Sequence, residues 1–596
     1  MILKKLVNLS AILFLIITLF TNCSSNENVN NGKEIVLRLE PREGNPRNSE
    51  GDFIKLNNGR ILFVYTFFTE GTGDNAGAHL AGRYSDDNGK TWTEEDSIII
   101  GNEGGMNVMS VSLFRLKDDK IALFYLRKNS ESDCIPYIRT SEDEAKNWSE
   151  PIRCIPDSGY FVVNNDRVVR LKSGRIIFPT SLHKTPDSET TIIGKIRCYY
   201  SDDEGVTWKR SNDASNPENA TTQEPGIVEL NDGKLMLFCR TESGVQYISF
   251  SNDYGENWSE LKPGNIKSPL SPASIERIPQ TGDLMLVWNN NYKAIHDGGK
   301  RTPFNLAISK DEGVTWEKTK TIESDPNGWY CYTAIEFVGD QVLLGHCAGD
   351  RSKNVGLATT QITRLSLDWI YSEVTATPSI DVDSNGIVAL NCVDEEAKIF
   401  YSLERKMPNI LYESPITVSR TTPLWIQAKT NGKTKSELIS MYVGTNVMQK
   451  SIEVKHSKGK GISFDYYEGI VHAVNKIEKL AIKESGVIET FNINNRMKDI
   501  NFAFKFNGYI DIPTDGKYTL FLASNDGSIL YLDDHELINL DGPHAITEES
   551  AEVALLKGKH KIVLKYFQLK GGQGLKLSWK GPNITKEEIP ASVLSH

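Results

Sequence analysis

Residues Ser85-Asp86-Asp87-Asn88-Gly89-Lys90-Thr91-Trp92 form a motif that returns four more times, at intervals of 50 to 60 residues. The later copies follow the pattern Ser-x-Asp-x-Gly-x-Thr-Trp and span residues 141–148, 201–208, 251–258 and 309–316. The second copy carries Ala145 and Asn147 instead of Gly and Thr, and the fourth carries Asn257 instead of Thr. Within such a hairpin an Asp accepts backbone N–H bonds, a Gly supplies positive φ and a Trp buries apolar surface. We therefore predict that these five repeat hairpins are structural and that their Asp residues are not catalytic.

A second repeat runs in step with the repeat hairpins between residues 34 and 371. Six times an apolar strand is followed by a Gly- or Asp-rich turn and a second apolar strand; the first strands end at Leu56, Leu116, Leu171, Leu230, Ile278 and Val338. In five units a repeat hairpin follows 21 to 31 residues later, so that each unit holds about four short strands. The sequence therefore predicts an all-β fold with a six-bladed β-propeller, whose last blade is closed by a strand preceding Arg47.

The residues that line the propeller channel can be found by counting along the innermost strands. Strand side chains alternate with period two, so a residue six positions before each strand end shares its face. Those positions hold Glu50, Ser110, Asn165, Glu224, Pro272 and Tyr332. A packed β core would not select Glu50, Glu224 and Tyr332, so we interpret them as site residues. The alternative is that they are rim residues with internal partners.

Three arginines lie at strand ends in three of the predicted blades. Arg47 begins the first inner strand, Arg240 ends the second strand of blade four, and Arg301 precedes the third strand of blade five. A guanidinium group offers planar paired donors to a carboxylate and stays charged when it is desolvated. Together they predict a carboxylated substrate, although a surface salt bridge would explain each one singly.

Residues 34–371 resemble the sialidase (neuraminidase) superfamily, in which the repeat hairpins are called Asp boxes. The resemblance implies that Arg47, Arg240 and Arg301 hold the sugar carboxylate. It also implies that Tyr332, in Tyr-Thr-Ala-Ile, is the nucleophile and that Glu224, in Glu-Pro-Gly-Ile-Val-Glu, is its base. The activity implied is exo-α-sialidase hydrolysis of sialylated glycans with retention, through a tyrosine-linked intermediate and without a metal or other cofactor.

The sequence departs from the family pattern around the first arginine. The segment Asn45-Pro-Arg47-Asn-Ser-Glu50-Gly-Asp52 replaces an Arg-Ile-Pro-like segment, and the acid/base Asp is absent from its usual place. Asp74 is our candidate for the acid/base; its rivals are Glu70, Glu50 and Asp52, and further possible substrate contacts are Asp166 and Arg167. These departures keep two alternatives open: a propeller glycosidase acting on another acidic sugar, ulosonic or uronic, and a non-catalytic glycan-binding lipoprotein.

The N-terminus has the features of a bacterial lipoprotein export sequence. Lys4 and Lys5 precede an apolar run from Leu6 to Phe20, and Cys23 follows shortly after. We predict a lipoprotein signal peptide over 1–22, lipidation of Cys23, a linker over 23–33 and anchoring to the outer membrane of a bacterial envelope. Because Phe20 and Asn22 are not usual lipobox residues, an ordinary signal peptide is the alternative.

Charge and cysteine usage exclude other classes. The net charge of −11 is spread along the chain without a basic stripe, which argues against a nucleic-acid partner. Of the eight cysteines, the seven beyond Cys23 show no metal-ligand spacing, and several of them fall in apolar runs (Cys239, Cys331 and Cys347). We predict that they are small buried residues and not a disulfide framework.

Two further β domains are predicted after the propeller. Residues 372–446 contain short alternating strands such as Leu424-Trp-Ile-Gln-Ala428, and they resemble the C-terminal β-sandwich of bacterial chitobiases. Residues 451–596 resemble the protective-antigen-type β domain, on the segments 508–533 and 559–566. Such domains are thought to bind glycans, sometimes through calcium; Asp526, Asp533 and Asp534 are available for that, although β-turns explain them equally well.

Overall fold

The computed structural model describes residues 32–291, 301–353, 355–454, 459–544 and 546–596. Over these residues the fold is almost entirely β: six four-stranded blades, then a small sandwich, then a larger two-sheet domain. The predicted all-β fold class is thereby confirmed. The predicted signal peptide, the lipidation site Cys23 and most of the linker lie outside the described residues.

Blades 1 to 3 follow one another along the first half of the propeller, and the strands of each run from the innermost outwards. Blade 1 comprises Arg47–Lys55, Ile61–Phe68, Ala78–Ser85 and Ser97–Ile100. Blade 2 comprises Asn107–Arg115, Ile121–Ser130, Asp133–Ser141 and Ile152–Arg153. Blade 3 has an interrupted inner strand and comprises Tyr160–Val162 with Val169–Arg170, Ile176–Lys184, Lys195–Ser201 and Lys209–Arg210.

Blades 4 to 6 complete the ring. Blade 4 comprises Gln223–Glu229, Leu235–Arg240, Val245–Ser251 and Lys262–Lys267, and blade 5 comprises Ser274–Arg277, Leu284–Trp288, Phe304–Ser309 and Glu317–Glu323. Blade 6 comprises Gly328–Val338, Gln341–Asp350 and Thr360–Ser366, and the N-terminal strand Lys33–Leu39 pairs with Thr360–Ser366 as its fourth strand. The strand predicted before Arg47 therefore does close the ring. A short 3-10 helix, Arg351–Lys353, and the α-helix Leu367–Tyr371 flank the last strand.

The second strand of a blade is buried on both faces because the blade packs between two neighbours. Ile61–Phe68, with the sequence Ile-Leu-Phe-Val-Tyr-Thr-Phe-Phe, is buried at seven of eight positions. β-branched and aromatic residues of this kind suit a pleated surface. This double burial explains why the second strands are continuous apolar runs.

The repeat hairpins are self-contained turns on the rim where the third strands end. In the third copy, Ser201 Oγ accepts from Gly205 N at 2.8 Å, and Asp203 accepts from Thr207 N at 2.8 Å and Thr207 Oγ1 at 2.5 Å. In the imperfect second copy Ala145 adopts the left-handed conformation with φ 65°, and Asn147 Nδ2 donates where the Thr hydroxyl would. The carboxylate of each of these Asp residues therefore accepts its hydrogen bonds within its own turn.

The chain beyond the propeller forms two more β units. The small sandwich has one sheet of Ser379–Val382, Ile387–Asn391 and Ile416–Thr417, and another of Ile410–Leu411, Lys398–Ser402, Thr422–Lys429 and Ile439–Val443. The last unit has a sheet of Met448–Gln449, Thr547–Leu555, Gly516–Ser524, Leu575–Gly581 and Ile584–Glu588. Its second sheet contains Ile482–Ile488, Ile462–Glu468, Phe502–Ile512, Gly558–Gln568, Ser528–Leu532, His535–Leu540 and Leu594–Ser595, with 3-10 turns at Val474–Lys479 and Ala591–Val593.

The three aspartates considered for calcium have partners inside the last unit. Asp526 accepts from Leu569 N, Asp533 accepts from Lys561 N, and Asp534 pairs with Lys561 Nζ. Among the residues that the structure describes, no group of three or more His, Cys, Asp or Glu could hold a metal ion. Over the same residues no helix is long and apolar enough to cross a membrane.

Candidate active site

Four inner strands carry the same backbone irregularity at the same height in the channel. The strand pairing is interrupted between Ser49 and Asp52, Met109 and Ser112, Gln223 and Gly226, and Cys331 and Ala334. The first residue of each bulge has positive φ: Glu50 at 45°, Ser110 at 58°, Glu224 at 48° and Tyr332 at 57°. Left-handed backbone is unfavourable in residues with a Cβ and is found preferentially at functional sites. These bulges are what bring the four side chains together in the channel.

Tyr332 and Glu224 form the centre of the site. Tyr332 Oη donates to Glu224 Oε1 at 3.2 Å across blades 6 and 4. Burial, and then the charge of Glu224, raise the pKa of the Tyr332 hydroxyl far above its usual value, despite the opposing charges of Arg301 and Arg240. The phenol is therefore neutral until a base removes its proton, and Glu224 is the group within reach.

Arg47 and Arg240 each pair with a carboxylate, whereas Arg301 has no carboxylate partner among the described residues. Arg240 Nη1 lies 2.6 Å from Glu224 Oε2, and Gln223 Oε1 accepts from Arg240 Nη2 at 2.5 Å. Arg301 is only 8% exposed, yet its Nε and Nη1 find no hydrogen-bond partner among the described residues. Its guanidinium lies 5.3 Å from the centroid of the Tyr332 ring. A buried, unsatisfied guanidinium beside the nucleophile candidate is suited to an incoming carboxylate.

Arg47 is held by Asp74 at the mouth of the site. Arg47 is 2% exposed, and its Nη1 donates to Asp74 Oδ1 at 2.5 Å, whereas 62% of the Asp74 side chain remains exposed. Partial loss of hydration raises the pKa of Asp74, but the charge and hydrogen bond of Arg47, helped by Lys128 and Arg301, outweigh it and leave the pKa below its usual value. Asp74 is thus positioned between solvent and the site, as a carboxylate.

Glu50 lies beside Arg47 and is nearly inaccessible to solvent. Its Oε2 accepts from Ser110 Oγ at 2.9 Å, and its Oε1 lies 3.8 Å from Arg47 Nη2. Burial raises the pKa of Glu50 to about 7, aided by the charges of Asp74 and Glu224 and opposed by Arg47 and Ser110. The group therefore changes charge near neutral pH.

A cavity of about 410 Å³ opens beside this cluster. Such a volume falls in the range of small-molecule sites. Its wall combines polar and apolar groups, and the lining includes Glu224, Arg240, Gln223, Tyr160, His183, Thr191 and Ile192. It could hold the substituents of a sugar ring bound at the arginines.

Three predicted substrate contacts lie elsewhere. Asp52 accepts from Phe53 N and Leu113 N, both at 2.7 Å, so its oxygens serve the backbone of blades 1 and 2. Asp166 and Arg167 line a second cavity of about 390 Å³ near the opposite end of the inner strands, together with Glu276 and Arg277. Burial, and then the charge of Asp166, raise the pKa of Asp52. Asp52, Asp166 and Arg167 therefore do not join the Tyr332–Glu224 cluster. Asp166 accepts from Ile335 N at 3.0 Å, and Arg167 Nη2 donates to Ala273 O at 2.8 Å.

Three other residues considered for the site, Asn165, Pro272 and Glu70, lie outside the side-chain cluster around Tyr332. Asn165 Nδ2 donates to Gly51 O at 2.7 Å and Tyr332 O at 3.1 Å, so it braces blades 1, 3 and 6 and does not face a ligand. Pro272 precedes the inner strand of blade 5, which begins only at Ser274. Glu70 is exposed on the loop that carries Asp74. Of the acid/base candidates, Asp74 combines exposure with contact to the arginine cluster.

Sequence reasoning missed Gln223 and Trp329. Gln223 holds Arg240, and its place directly before Glu224 puts it on the other face of a regular strand, so only the bulge brings both residues to the site. The Trp329 ring centroid lies 5.2 Å from the guanidinium carbon atoms of both Arg301 and Arg351. No sequence pattern connects Trp329 with these two arginines. Trp329 lies in the inner strand of blade 6, Arg301 precedes the third strand of blade 5, and Arg351 begins a 3-10 helix.

This chain is similar in sequence to two domain families and to several known proteins. Residues 83–344 match the model of the BNR repeat-like domain, and residues 491–592 match that of the PA14 domain. The sialidase of Vibrio cholerae serotype O1 is 24% identical over 270 residues, which is 38% of this chain and 34% of that protein. The sialidase of Clostridium perfringens is 25% identical over 240 residues, which is 36% of this chain and 60% of that protein. The matches thus span from about a third to 60% of these relatives' length.

Residues 83–344 are thus similar to BNR repeat-like domains and to part of bacterial sialidases, and residues 491–592 are similar to PA14 domains. Among solved structures, a Hadza microbial sialidase aligns with 55% of this chain and 67% of its own, at 18% identity and a TM-score of 0.45.

Proposed function

We propose that this protein is an exo-α-sialidase that removes terminal sialic acids from glycans with retention of configuration. The observation that carries the proposal is the Tyr332–Glu224 hydrogen bond beside three arginines, of which Arg301 has two nitrogens, Nε and Nη1, without a hydrogen-bond partner among the described residues. The similarity to bacterial sialidases supports the same function.

Substrate binding would begin at the arginines. The carboxylate of a sialic acid sits on the anomeric carbon, so holding it fixes the reacting carbon beside Tyr332. Arg301 offers its free Nε and Nη1, and Arg47 and Arg240 add charge from the other side. Paired charge-assisted hydrogen bonds would supply both affinity and orientation.

The first chemical step would be attack by the phenol oxygen of Tyr332 on the anomeric carbon. Glu224 takes the phenolic proton, the bond from Tyr332 Oη to the carbon forms, and the glycosidic C–O bond breaks. A neutral phenol suits this substrate because a carboxylate nucleophile would approach against the charge of the sugar carboxylate. Arg240 and Arg301 lower the cost of the developing phenolate.

Asp74 would protonate the leaving oxygen and then activate water for hydrolysis of the tyrosine-linked intermediate. In the free protein Asp74 pairs with Arg47, which lowers its pKa and opposes protonation. A sugar carboxylate bound at Arg47 would take over that partner and release Asp74, whose largely exposed side chain can then reach the leaving group. The acid would thus be made ready by the substrate itself.

The direct test is release of 4-methylumbelliferone from its α-sialoside by the protein lacking residues 1–23, beside a Tyr332→Phe variant. We expect turnover by the parent and its loss in the variant, because Phe keeps the ring and lacks the nucleophilic oxygen. Tyr330→Phe, two residues away in the same inner strand, is the matched control and should remain active. Turnover that survives in Tyr332→Phe would contradict the assignment of the nucleophile.

A second candidate activity is hydrolysis of another ulosonic or uronic acid glycoside. Glu50 favours this second activity, because a buried carboxyl group next to Arg47 changes which substrate carboxylates the arginines can bind. Absence of turnover on the α-sialoside, with turnover on a 4-methylumbelliferyl glycoside of another acidic sugar, would establish this alternative. Binding of acidic glycans without turnover of any of them would identify a non-catalytic binding protein.

We further propose that the protein is exported and held at the bacterial outer membrane through a lipid on Cys23. The proposal depends on Lys4, Lys5 and the apolar run that precedes the cysteine. Metabolic labelling with a palmitate analogue tests it: the parent should become labelled and Cys23→Ser should not. Equal labelling of both proteins would contradict it.

A further inference from the structure

The proposed reaction uses Glu224 and Asp74 but gives no task to the third carboxyl group of the site, that of Glu50. Glu50 is 7% exposed, and its φ of 45° is unfavourable for a residue with a Cβ. Its bulge occupies the same place in blade 1 as those of Glu224 and Tyr332 in blades 4 and 6. The backbone therefore directs Glu50 into the site as it does the two central residues.

The contacts of Glu50 place it next to the guanidinium group that a substrate carboxylate would bind. Ser110 Oγ donates to its Oε2 at 2.9 Å. Its Oε1 is 3.8 Å from Arg47 Nη2, which is too long for a hydrogen bond, whereas Arg47 Nη1 donates to Asp74 at 2.5 Å. Glu50 is thus close to Arg47 without being its hydrogen-bonded partner.

A bound sugar carboxylate would put a further negative charge beside Glu50. Burial already raises the pKa of Glu50 to about 7, and the charges of Asp74 and Glu224 act in the same direction. An added anion at Arg47 penalises the ionised form again and also takes up the compensating charge of the arginine. The protonated form avoids the repulsion and can donate a hydrogen bond to the ligand.

Several ionisable groups surround Glu50. The charged and titratable groups facing it from its own strand, the adjoining loop and the neighbouring blades are Arg47, Asp74, Cys134, Tyr160, Glu224 and Cys347. Burial raises the pKa of Cys134 to about 12, and it also raises the pKa of Tyr160 well above its usual value. The hydrogen bond with Cys331 and burial raise the pKa of Cys347, and Asp74 is shifted to the acid side. Near neutral pH the group that burial brings to titration is therefore Glu50.

We propose that Glu50 is a positioning residue that takes up a proton when an acidic sugar binds, an inference that rests on the proposed function. Below neutral pH the free protein already carries the proton, so binding does not depend on pH. Above it, each binding event requires proton uptake, and affinity falls by up to about tenfold per pH unit. The site therefore selects acidic sugars while keeping their binding strongest in neutral or acid surroundings.

The first experiment measures kcat and KM for the 4-methylumbelliferyl α-sialoside between about pH 5 and pH 9 in the parent, Glu50→Gln and Ser110→Ala. We expect KM of the parent to rise by up to about tenfold per pH unit above about pH 7, with little change in kcat. Glu50→Gln mimics the protonated form, so its KM should be constant over the range. Ser110→Ala removes a donor to the ionised carboxylate and should move the rise to higher pH.

Titration calorimetry supplies a second readout with 2-deoxy-2,3-didehydro-N-acetylneuraminic acid in two buffers of different ionisation enthalpy. The parent should take up about half a proton on binding near pH 7, and Glu50→Gln should take up none. A KM of the parent that does not change with pH, or the same rise in Glu50→Gln, would overturn this inference and leave the proposed function intact. Neither turnover nor binding by the parent at any pH would overturn the proposed function and this inference with it.

Discussion

The two rims of the propeller are built from the same strands but use their polar residues in opposite ways. On the hairpin rim, Asp87, Asp143, Asp203, Asp253 and Asp311 all accept hydrogen bonds from residues of their own turn. On the site rim, the side chains at four equivalent bulges bond to one another in two pairs, Glu50 with Ser110 and Glu224 with Tyr332. Identical residues at repeated positions stabilise the turns of the blades, and differing residues on a repeated backbone make the site.

The largest effect of this difference is expected for carboxylates at opposite ends of one strand. Glu224→Gln keeps an oxygen that can accept from Tyr332 but cannot take its proton, so kcat should fall by about 10²- to 10⁴-fold. Glu229→Gln is the matched control: Glu229 ends the same strand on the hairpin rim, where it accepts from Lys172 N. Steady-state kinetics should show near-parental kcat for the control. Equal losses in both variants would mean that the two rims do not differ as described.

The next effect concerns two arginines in blade 5. Arg301→Lys loses the planar paired donors, so KM should rise by about 10- to 100-fold with a smaller change in kcat. Arg277→Lys is the control, because Arg277 forms a bidentate ion pair with Glu312 at 2.8 and 3.0 Å. Arg277 is the last residue of the inner strand of blade 5, at the end of that strand on the hairpin rim. The KM of this control should be unchanged. Unchanged KM in Arg301→Lys would remove Arg301 from the carboxylate site.

A hairpin aspartate should affect stability alone. Asp203→Ala removes the acceptor for Thr207 N and Thr207 Oγ1, so the free energy of unfolding should fall by about 1 kcal/mol. Because the turn lies on the rim opposite the site, kcat/KM at a temperature well below unfolding should stay at the parental value. Denaturant unfolding and kinetics on one protein batch measure both. A selective loss of kcat/KM would give the repeat hairpins a role in the reaction.

The smallest effect is the pH dependence of stability, which has opposite signs on the two rims. Hydrogen bonds from Asn147 and from Arg170 lower the pKa of Asp143 and of Glu204, respectively, to about 2. Their stabilisation is present above their unfolded pKa values of about 4 and is lost as pH falls towards 2. The pKa of Glu50 is instead raised to about 7 in the folded protein, so ionisation of Glu50 lowers the free energy of unfolding as pH rises from about 4 to 7. Thermal unfolding should therefore be less pH-dependent at acid pH in Asp143→Asn and at neutral pH in Glu50→Gln.

The same contrast explains what the sequence could predict. The repeat hairpins and strand ends recur at fixed spacing, so the blade count and the closing strand followed from the pattern alone. Counting in steps of two reached Glu50, Ser110, Glu224 and Tyr332 because each sits at a bulge of the same kind. In blade 3 the inner strand is interrupted and the left-handed residue is Asp166, so the counted residue, Asn165, became a brace.

The rest depended on partners that a sequence does not display. Asp52 is two residues from Glu50 and chemically similar, yet backbone N–H groups from two blades occupy its oxygens. Asp74 could be named as an acid candidate, but its ion pair with Arg47 depends on how the loop folds back over blade 1. Local spacing identifies which residues could act, whereas the partners of a carboxylate decide whether it is free to do so.

The central claim is that Tyr332 is the nucleophile, and trapping of the covalent intermediate tests it most directly. A 2,3-difluoro sialic acid combines a good leaving group with a fluorine that slows both steps, so the sugar accumulates on the enzyme. Intact mass spectrometry followed by peptide mapping should find one sugar per protein, attached to Tyr332, and none on Tyr332→Phe. A sugar attached to any other residue, or turnover of the 4-methylumbelliferyl α-sialoside without any trapped species, would contradict the account.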